Sequence, residues 1–195
     1  MQMLLHNEEL IIPDMTDEQF LDFCVQNRDH RIERTAEGIA IVMSGTDGKT
    51  GSRNLRISRQ IGNWAEQDGR GEAFDSSTGF RLPNSAIRAP DATWVSRSGL
   101  AQLTEAQKDR FLPLCLVFVI ELMSPSDRLA EVKLKMIEYM ANGCELGWLI
   151  DPAARRVTIY RPEGITTLEA PDHVDGEGPV EGFVLDLKFI WELGW

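Results

Sequence analysis

Cysteine, basic charge and long apolar runs are all scarce in this chain. Its three cysteines, at positions 24, 115 and 144, are odd in number and widely spaced. That pattern argues against a disulfide framework and against a structural zinc site, and it points to a reducing, cytoplasmic setting. No apolar run approaches the ~20 residues that span a bilayer. The N-terminal MQMLLHNEELIIPDM has no basic leader ahead of its apolar residues, so neither membrane insertion nor secretion is expected. Lys and Arg number 20 against 31 Asp and Glu, a net charge of −11, which excludes a role in coating nucleic acid by neutralising its phosphates. An enzyme that acts on nucleic acid is not excluded, because a catalytic acidic cluster draws divalent cations and local basic patches still steer a substrate. Internal repeats and linkers are also missing. With 195 residues and 43% hydrophobic content, the chain reads as a single domain over 1–195 with a sizeable core.

What is present is organised around Leu116 to Gly143, LVFVIELMSPSDRLAEVKLKMIEYMANG. The opening apolar run, rich in Val, Ile and Phe, is the pattern of a strand buried on both faces. Glu121 is its one charge. A carboxylate buried there without a partner costs on the order of several kcal/mol, so a cation, a metal or a hydrogen-bond network is required. A structural ion pair with an Arg would also meet that need. After the strand, Ser124 as N-cap, Pro125 at the first helical position and Asp127 at the third predict a helix start, and Asn142-Gly143 predict its end. Leu129, Val132, Met136, Tyr139 and Met140 fall on one face; Arg128, Glu131, Lys135 and Glu138 gather on another.

Heights along the two elements decide which groups meet. If the helix folds back along its strand, Glu121 lies roughly 10 Å from the cap at ~3.3 Å per residue. Lys135 lies about 15 Å along the helix, and its side chain leans back toward the N-terminus by several Å. The two heights agree. Lys133 has a similar height on a different face and ranks second. Read as an ordinary surface lysine in structural terms, Lys135 should be replaceable by Met for about 0.5 kcal/mol.

Earlier in the chain, Thr16-Asp17-Glu18 opens a helix to about Asn27, and RIERT, the turn Ala36-Glu37-Gly38 and IAIVMS form a hairpin. Glu33 sits in its first arm, where a surface charge is the plain reading. GTDGKTG is no phosphate loop: the Gly required five residues before Gly48 is Met43. It reads as a flexible loop before a helix from Ser52 to Asp68, with Leu55, Ile57, Ile61 and Trp64 inward and Arg53, Arg56 and Arg59 exposed, as solvated charge or as a local basic surface. In IRAPDATWV, Pro90 fits a bulge or an edge and presents Asp91 as a strand begins. A turn residue is the plain reading of Asp91; the carboxylate of the later strand favours a shared metal site instead. A short helix near Glu105 to Phe111 precedes the central stretch. ELGWLID, RRVTIYRP and ITTLEAP follow it as an antiparallel meander, DHVDGEGPVEG as a loop, and FVLDLKFIWELGW ends in a short helix.

Two acids from neighbouring strands and a lysine on a polar helical face suit phosphodiester hydrolysis: oxygen ligands hold Mg²⁺, the ion activates water, and the ammonium orients it or stabilises developing charge. Ser124 and Ser126 lack a nearby His, and capping explains them better than nucleophilic attack. At RIERTAEGIAIVMS, GFRLP, RAPDATWV, FVIELMSPSDR, KMIEYMANG and LGWLIDP the chain resembles the Uma-type restriction endonucleases of the PD-(D/E)XK nuclease superfamily, over most of its length and in the family's order. The resemblance implies a restriction-endonuclease-like α/β (α+β) fold, a central mixed sheet flanked by helices with an N-terminal helix and hairpin. It implies a DNA endonuclease using Mg²⁺ or Mn²⁺, with Asp91 and Glu121 as the metal-binding pair and Glu33 as an early acid completing the site. The superfamily's lysine normally stands two residues after the second acid, here Met123; the family pattern moves it to the helix, onto Lys135. A His is frequent in the helix after the hairpin, where this chain reads SRNLRIS, so no role is assigned to Asn54. Glu131 stands where an Asp is common, at a spacing that would pair it with Lys135. Two other readings are a catalytically inactive nuclease-fold scaffold, which the acidic charge favours, and a hydrolase of some other phosphoester. A homodimer is expected for cutting two strands, with apolar area from Trp191 and Trp195.

Overall fold

A computed structural model describes residues 9–11, 15–43 and 45–195. The N-terminal residues 1–8 and 12–14, read above for a leader, and Ser44, read as the end of a hairpin arm, lie outside that set. In chain order the strands are β1 (Glu9–Ile11), β2 (Arg31–Arg34), β3 (Ile39–Met43), β4 (Gly71–Asp75), β5 (Phe80–Arg81), β6 (Ile87–Arg88), β7 (Ala92–Ser96), β8 (Phe118–Leu122), β9 (Leu146–Asp151), β10 (Arg156–Arg161), β11 (Gly164–Glu169), β12 (His173–Asp175) and β13 (Val184–Asp186). The helices are α1 (Asp17–Gln26), α2 (Gly48–Asp68), α3 (Arg97–Leu100), α4 (Glu105–Lys108), α5 (Leu129–Ala141) and α6 (Lys188–Trp191).

The central sheet runs β11-β10-β9-β8-β7-β4. Only β8 and β9 pair in parallel, Phe118 opposite Leu146 and Glu121 opposite Leu149, while the other neighbours are antiparallel. A parallel pair needs a crossover, and α5 supplies it. The expected mixed sheet flanked by helices is therefore the architecture, with β9, β10 and β11 as its meander. All five residues of β8 are buried, because both faces of the strand are covered. Phe118 and Ile120 pack with Trp94, Trp148 and the α2 residues Ile57 and Ile61; Val119 and Leu149 pack with Met136 and Tyr139 of α5. Each such side chain taken fully from water contributes roughly 1.5–3 kcal/mol.

A second antiparallel sheet, β1-β3-β2-β6-β5, carries Glu33. Its hairpin turns at Gly38, whose φ of 83° suits a residue without a Cβ. The chain crosses from this sheet to the central one at Ala89-Pro90-Asp91, between β6 and β7. Pro90 has no N–H to continue either ladder, which makes the joint.

Several elements differ from the sequence reading. Gly48-Lys49-Thr50-Gly51 is the first turn of α2 and not a loop: the Asp47 carboxylate accepts from the N–H groups of Lys49 and Thr50 at 2.9 and 3.1 Å and caps it. Leu55 points outward. The buried stripe is Ile57, Ile61 and Ala65, and a residue two positions before that stripe faces the opposite way. Helix α5 begins at Leu129 with Arg128 at the N-cap. The bonds expected of a capping box at Ser124 instead close a separate turn, Asp127 accepting the Ser124 N–H at 2.7 Å and returning its own to the Ser124 carbonyl at 3.2 Å. The segment read as a loop near Val174 contains β12, paired with β13, and Val174 is buried in the core between the central sheet and α2. Arg53 and Arg56 do not form a basic surface: their side chains donate to the carbonyls of Ile190, Phe189 and Leu193 and fasten α6 to α2. The cysteines are free. Among the described residues no helix is long and apolar enough to cross a membrane.

Candidate functional site

Strand register brings the two central acids together. Ala92 pairs with Ile120, so the next step of the antiparallel register sets Asp91 opposite Glu121. Side chains alternate across a strand. Phe118, Ile120 and Leu122 pack on the α2 side, which leaves Val119 and Glu121 on the side of α5. Asp91 is fixed by its neighbour strand, its Oδ2 accepting the Leu122 N–H at 2.8 Å.

Lys135 joins this pair to the second sheet. Its Nζ lies 2.9 Å from Glu121 Oε1 and 2.9 Å from Glu33 Oε1, with side-chain exposures of 13%, 7% and 2% in the order Lys135, Glu121, Glu33. The height argument therefore reaches the right partner from an N-cap placed too early. Tyr139, one turn on, donates its hydroxyl to Glu121 Oε1 at 2.8 Å. Glu33 also accepts from the Ala89 N–H at 3.1 Å and from Arg88 Nη1 at 3.2 Å, and Arg88 Nε donates to Glu138 at 2.6 Å. Arg31 Nη1 stands 3.3 Å from Asp91 Oδ1. Four carboxylates, Glu33, Asp91, Glu121 and Glu138, thus face three cations, Arg31, Arg88 and Lys135.

The surplus negative charge falls on Glu121. Burial pushes its carboxyl up to about 7; Lys135 pulls it down, but Asp91 and Glu33 push it further up. Burial also acts on Glu33, yet Lys135, Arg88 and Arg31 together overcome it and hold this carboxyl near 2. One ammonium thus serves both acids with opposite outcomes, because Glu33 has two further cations and Glu121 has two further carboxylates. Burial raises the Tyr139 hydroxyl well above its ordinary value, with Glu121 adding to it, so Tyr139 keeps its proton and serves the carboxylate as a hydrogen-bond donor.

The residues present fit a hard divalent cation in one form and not in another. Asp91 and Glu121 offer oxygen donors where negative charge is in excess, and a buried acceptor, Asn54 Oδ1, stands beside Asp91 with no partner among the described residues. Such a set suits Mg²⁺, which keeps several waters beside one or two carboxylates. The three-acid version departs from what is seen. Glu33 is consumed by Lys135, Arg88 and a backbone amide, and among the described residues no group of three or more His, Cys, Asp and Glu is arranged to hold a metal ion.

Other expectations need revising. Glu131 pairs with Arg128 at 3.3 Å and not with Lys135. Lys133 faces away from the acids into a cavity of about 440 Å³ with Asp151, Arg156 and Tyr160. Sequence reasoning missed Arg31, Arg88 and Tyr139, and it set Asn54 aside although its Nδ2 donates to Asp91 at 3.4 Å. Arg31 had a signal, since it alternates with Glu33 on one strand and so shares its face. Tyr139 had one too, at i+4 from Lys135.

Comparison with known proteins adds the following. A family model named Uma2, with the description "Putative restriction endonuclease", matches residues 17–188. The fold is similar to the crystal structure of "a putative nuclease belonging to DUF820" from Anabaena variabilis, at 19% identity and a TM-score of 0.73, covering 91% of this chain and 98% of that one. No curated protein matches.

Proposed function

The chain belongs to the Uma2 family, "Putative restriction endonuclease", and from that premise we propose that it is a Mg²⁺-dependent DNA endonuclease, with Mn²⁺ able to substitute. The family and its nuclease-like fold support a nuclease. The observation that carries the finer reading is Lys135 Nζ at 2.9 Å from both Glu33 and Glu121, beside Asp91.

In this reading Asp91 and Glu121 hold the divalent ion, which when bound supplies Lewis acidity and an activated water. Everything else is done by the chain. Lys135 donates toward the attacking water or the phosphoryl oxygens, where a preorganised cation in a water-poor site stabilises developing charge. Glu33, itself held by Arg88 and the Ala89 amide, fixes the height of that ammonium; it acts on the lysine and not as a metal ligand. Tyr139 holds Glu121 so that its carboxylate stays turned to Asp91. Water adds its oxygen to phosphorus and gives up a proton to solvent, the bond to the leaving sugar oxygen breaks, and that oxygen takes a proton from solvent. Two copies acting on the two strands would make a double-strand cut, which is why a homodimer belongs to the proposal.

The test is cleavage of plasmid and oligonucleotide DNA with Mg²⁺ or Mn²⁺, comparing the parent with Asp91→Asn and Glu121→Gln. The expected result is metal-dependent cleavage by the parent and a loss on the order of 10² or more in each variant. A parent that binds no divalent ion and cuts no DNA would favour the scaffold reading. Cutting of other phosphoesters but not DNA would favour the third class.

A further inference from the structure

The three cations at the site are not held alike. Lys135 makes two contacts of 2.9 Å with its side chain 13% exposed, and Arg88 makes one of 2.6 Å at 10% exposed. Arg31 is 29% exposed. Its Nη1 reaches Asp91 Oδ1 only at 3.3 Å, its Nη2 stands 3.9 Å from Glu33 Oε1, beyond hydrogen-bond range, and its Nε is buried with no partner among the described residues. Its other partner is the Ala89 carbonyl, which accepts from Nη2. An arginine kept for structure usually spends its fork on close, paired bonds to one carboxylate. This one is held by a backbone carbonyl and leans on the acids.

Its place gives the meaning. Asp91 Oδ2 is committed to the Leu122 amide at 2.8 Å, whereas Oδ1 has only the longer contacts of Arg31 Nη1 at 3.3 Å and Asn54 Nδ2 at 3.4 Å, so Oδ1 is the oxygen more open to a bound cation. Arg31 and a divalent ion therefore compete for the same oxygen. A guanidinium released from a carboxylate at the mouth of such a site has a second matching partner, since its fork fits a phosphate as well as a carboxylate.

We propose that Arg31 is a movable positioning residue: it neutralises Asp91 in the cation-free protein, and when Asp91 and Glu121 take a divalent ion it turns outward to grip a backbone phosphate of the nucleic acid. This rests on the reading of Asp91 and Glu121 as the cation site. It also answers how a chain of net charge −11 accepts a polyanion, because the local positive charge is delivered only when the carboxylates are already neutralised.

The experiment uses the full chain, with Arg31→Met and with Arg31→Gln, which keeps a donor for the Ala89 carbonyl. Asp91 retains the Leu122 amide and Asn54 in both variants, so folding should survive, and melting curves check it. Mg²⁺ titration calorimetry without DNA should give about 10-fold tighter binding in both variants, since a competing charge a few Å away is gone. Binding of a duplex oligonucleotide, measured with Ca²⁺ to slow cleavage, should weaken by about 10-fold, with the salt slope smaller by about one. Unchanged or weaker Mg²⁺ binding in folded variants would overturn the counter-ion role, and unchanged DNA affinity and salt slope would overturn the phosphate grip. A parent that binds no Mg²⁺ would instead overturn the cation site itself, and this inference with it.

Discussion

Lys135 does two jobs that a substitution separates. Its ammonium balances two buried carboxylates at 2.9 Å each, so the view of it as a replaceable surface lysine gives way. Removing one partner of a buried ion pair commonly costs about 3–5 kcal/mol. Here Arg88 and Arg31 still face Glu33, and Glu121 already sits near 7 and can take a proton. Lys135→Met should therefore destabilise by about 2 kcal/mol, below that range because both carboxylates keep a way to be neutralised, read as a shift of the denaturation midpoint. Turnover should fall by about 10² to 10³ at conditions where the variant remains folded, as for loss of one preorganised donor. Lys133→Met, whose side chain faces the separate cavity with Asp151 and Arg156, should leave turnover unchanged. Equal loss in both would mean that the lysine acts through helix stability alone. Asp91, Glu121 and Lys135 were legible in the sequence because two of them interrupt apolar or extended patterns and the third has a computable height. Arg88 was not, because its partner lies far along the chain, Glu33 across 55 positions; Arg31 and Tyr139 carried spacing signals, alternation with Glu33 and i+4 from Lys135, to which only the fold gives meaning.

At the scale of elements, apolar patterning was a sound guide to where elements lie, although Leu55 of α2 faces solvent, and a poor one to their ends. Strand β8, the β2–β3 hairpin and the β9–β10–β11 meander follow from apolar alternation, apolar runs and turn residues, all local signals. Helix starts depend on which of several capping residues the tertiary structure selects. Asp127 has the right chemistry for a cap and spends it on a turn, while the Ser124 hydroxyl pairs with that of Ser126, whereas Asp47 caps a helix whose first turn holds Gly48 and Gly51, both poor helix formers. That makes Asp47 the decisive residue at the start of α2: it accepts two backbone N–H groups and the Thr50 hydroxyl at 2.6 Å. Asp47→Ala should cost about 1 kcal/mol or somewhat more, within the usual range for an N-cap, while Ser124→Ala should stay within about 0.5 kcal/mol. Chemical denaturation of the two variants side by side decides between them; a larger loss for Ser124→Ala would return the cap of α5 to its sequence-expected place. Strands β12 and β13 escaped the sequence reading for a related reason. They are three residues each, set close to Gly and Asp, and a single buried residue apiece, Val174 and Leu185, marks the inner side.

The whole molecule leaves apolar surface around the junction of α2 and α6 that the fold does not use. Leu55 is 70% exposed, Phe189 59% and Trp195 75%, and Arg56 ties their elements together through the carbonyls of Phe189 and Leu193. Trp191 is a different case: its indole N–H donates to the Pro171 carbonyl at 2.8 Å, so it serves the monomer's own packing and is not part of the exposed area. Large exposed apolar side chains on packed elements tend to be covered by a partner, and the commonest partner is a second copy about a two-fold axis. Placed beside the helix that carries Asn54 to Asp91, such an interface would hold two cutting sites at a fixed separation. The expectation is a mass by light scattering of twice the 22.0 kDa chain at micromolar concentration. Phe189→Ser combined with Trp195→Ser should halve it, with a stability change within about 0.5 kcal/mol per site because both side chains are exposed. If the dimer is what aligns two sites on a duplex, the same variant should nick plasmid DNA while producing fewer linear molecules. A parent that scatters as a monomer across that concentration range would remove the interface, and double-strand cutting would then have to come from two independent encounters.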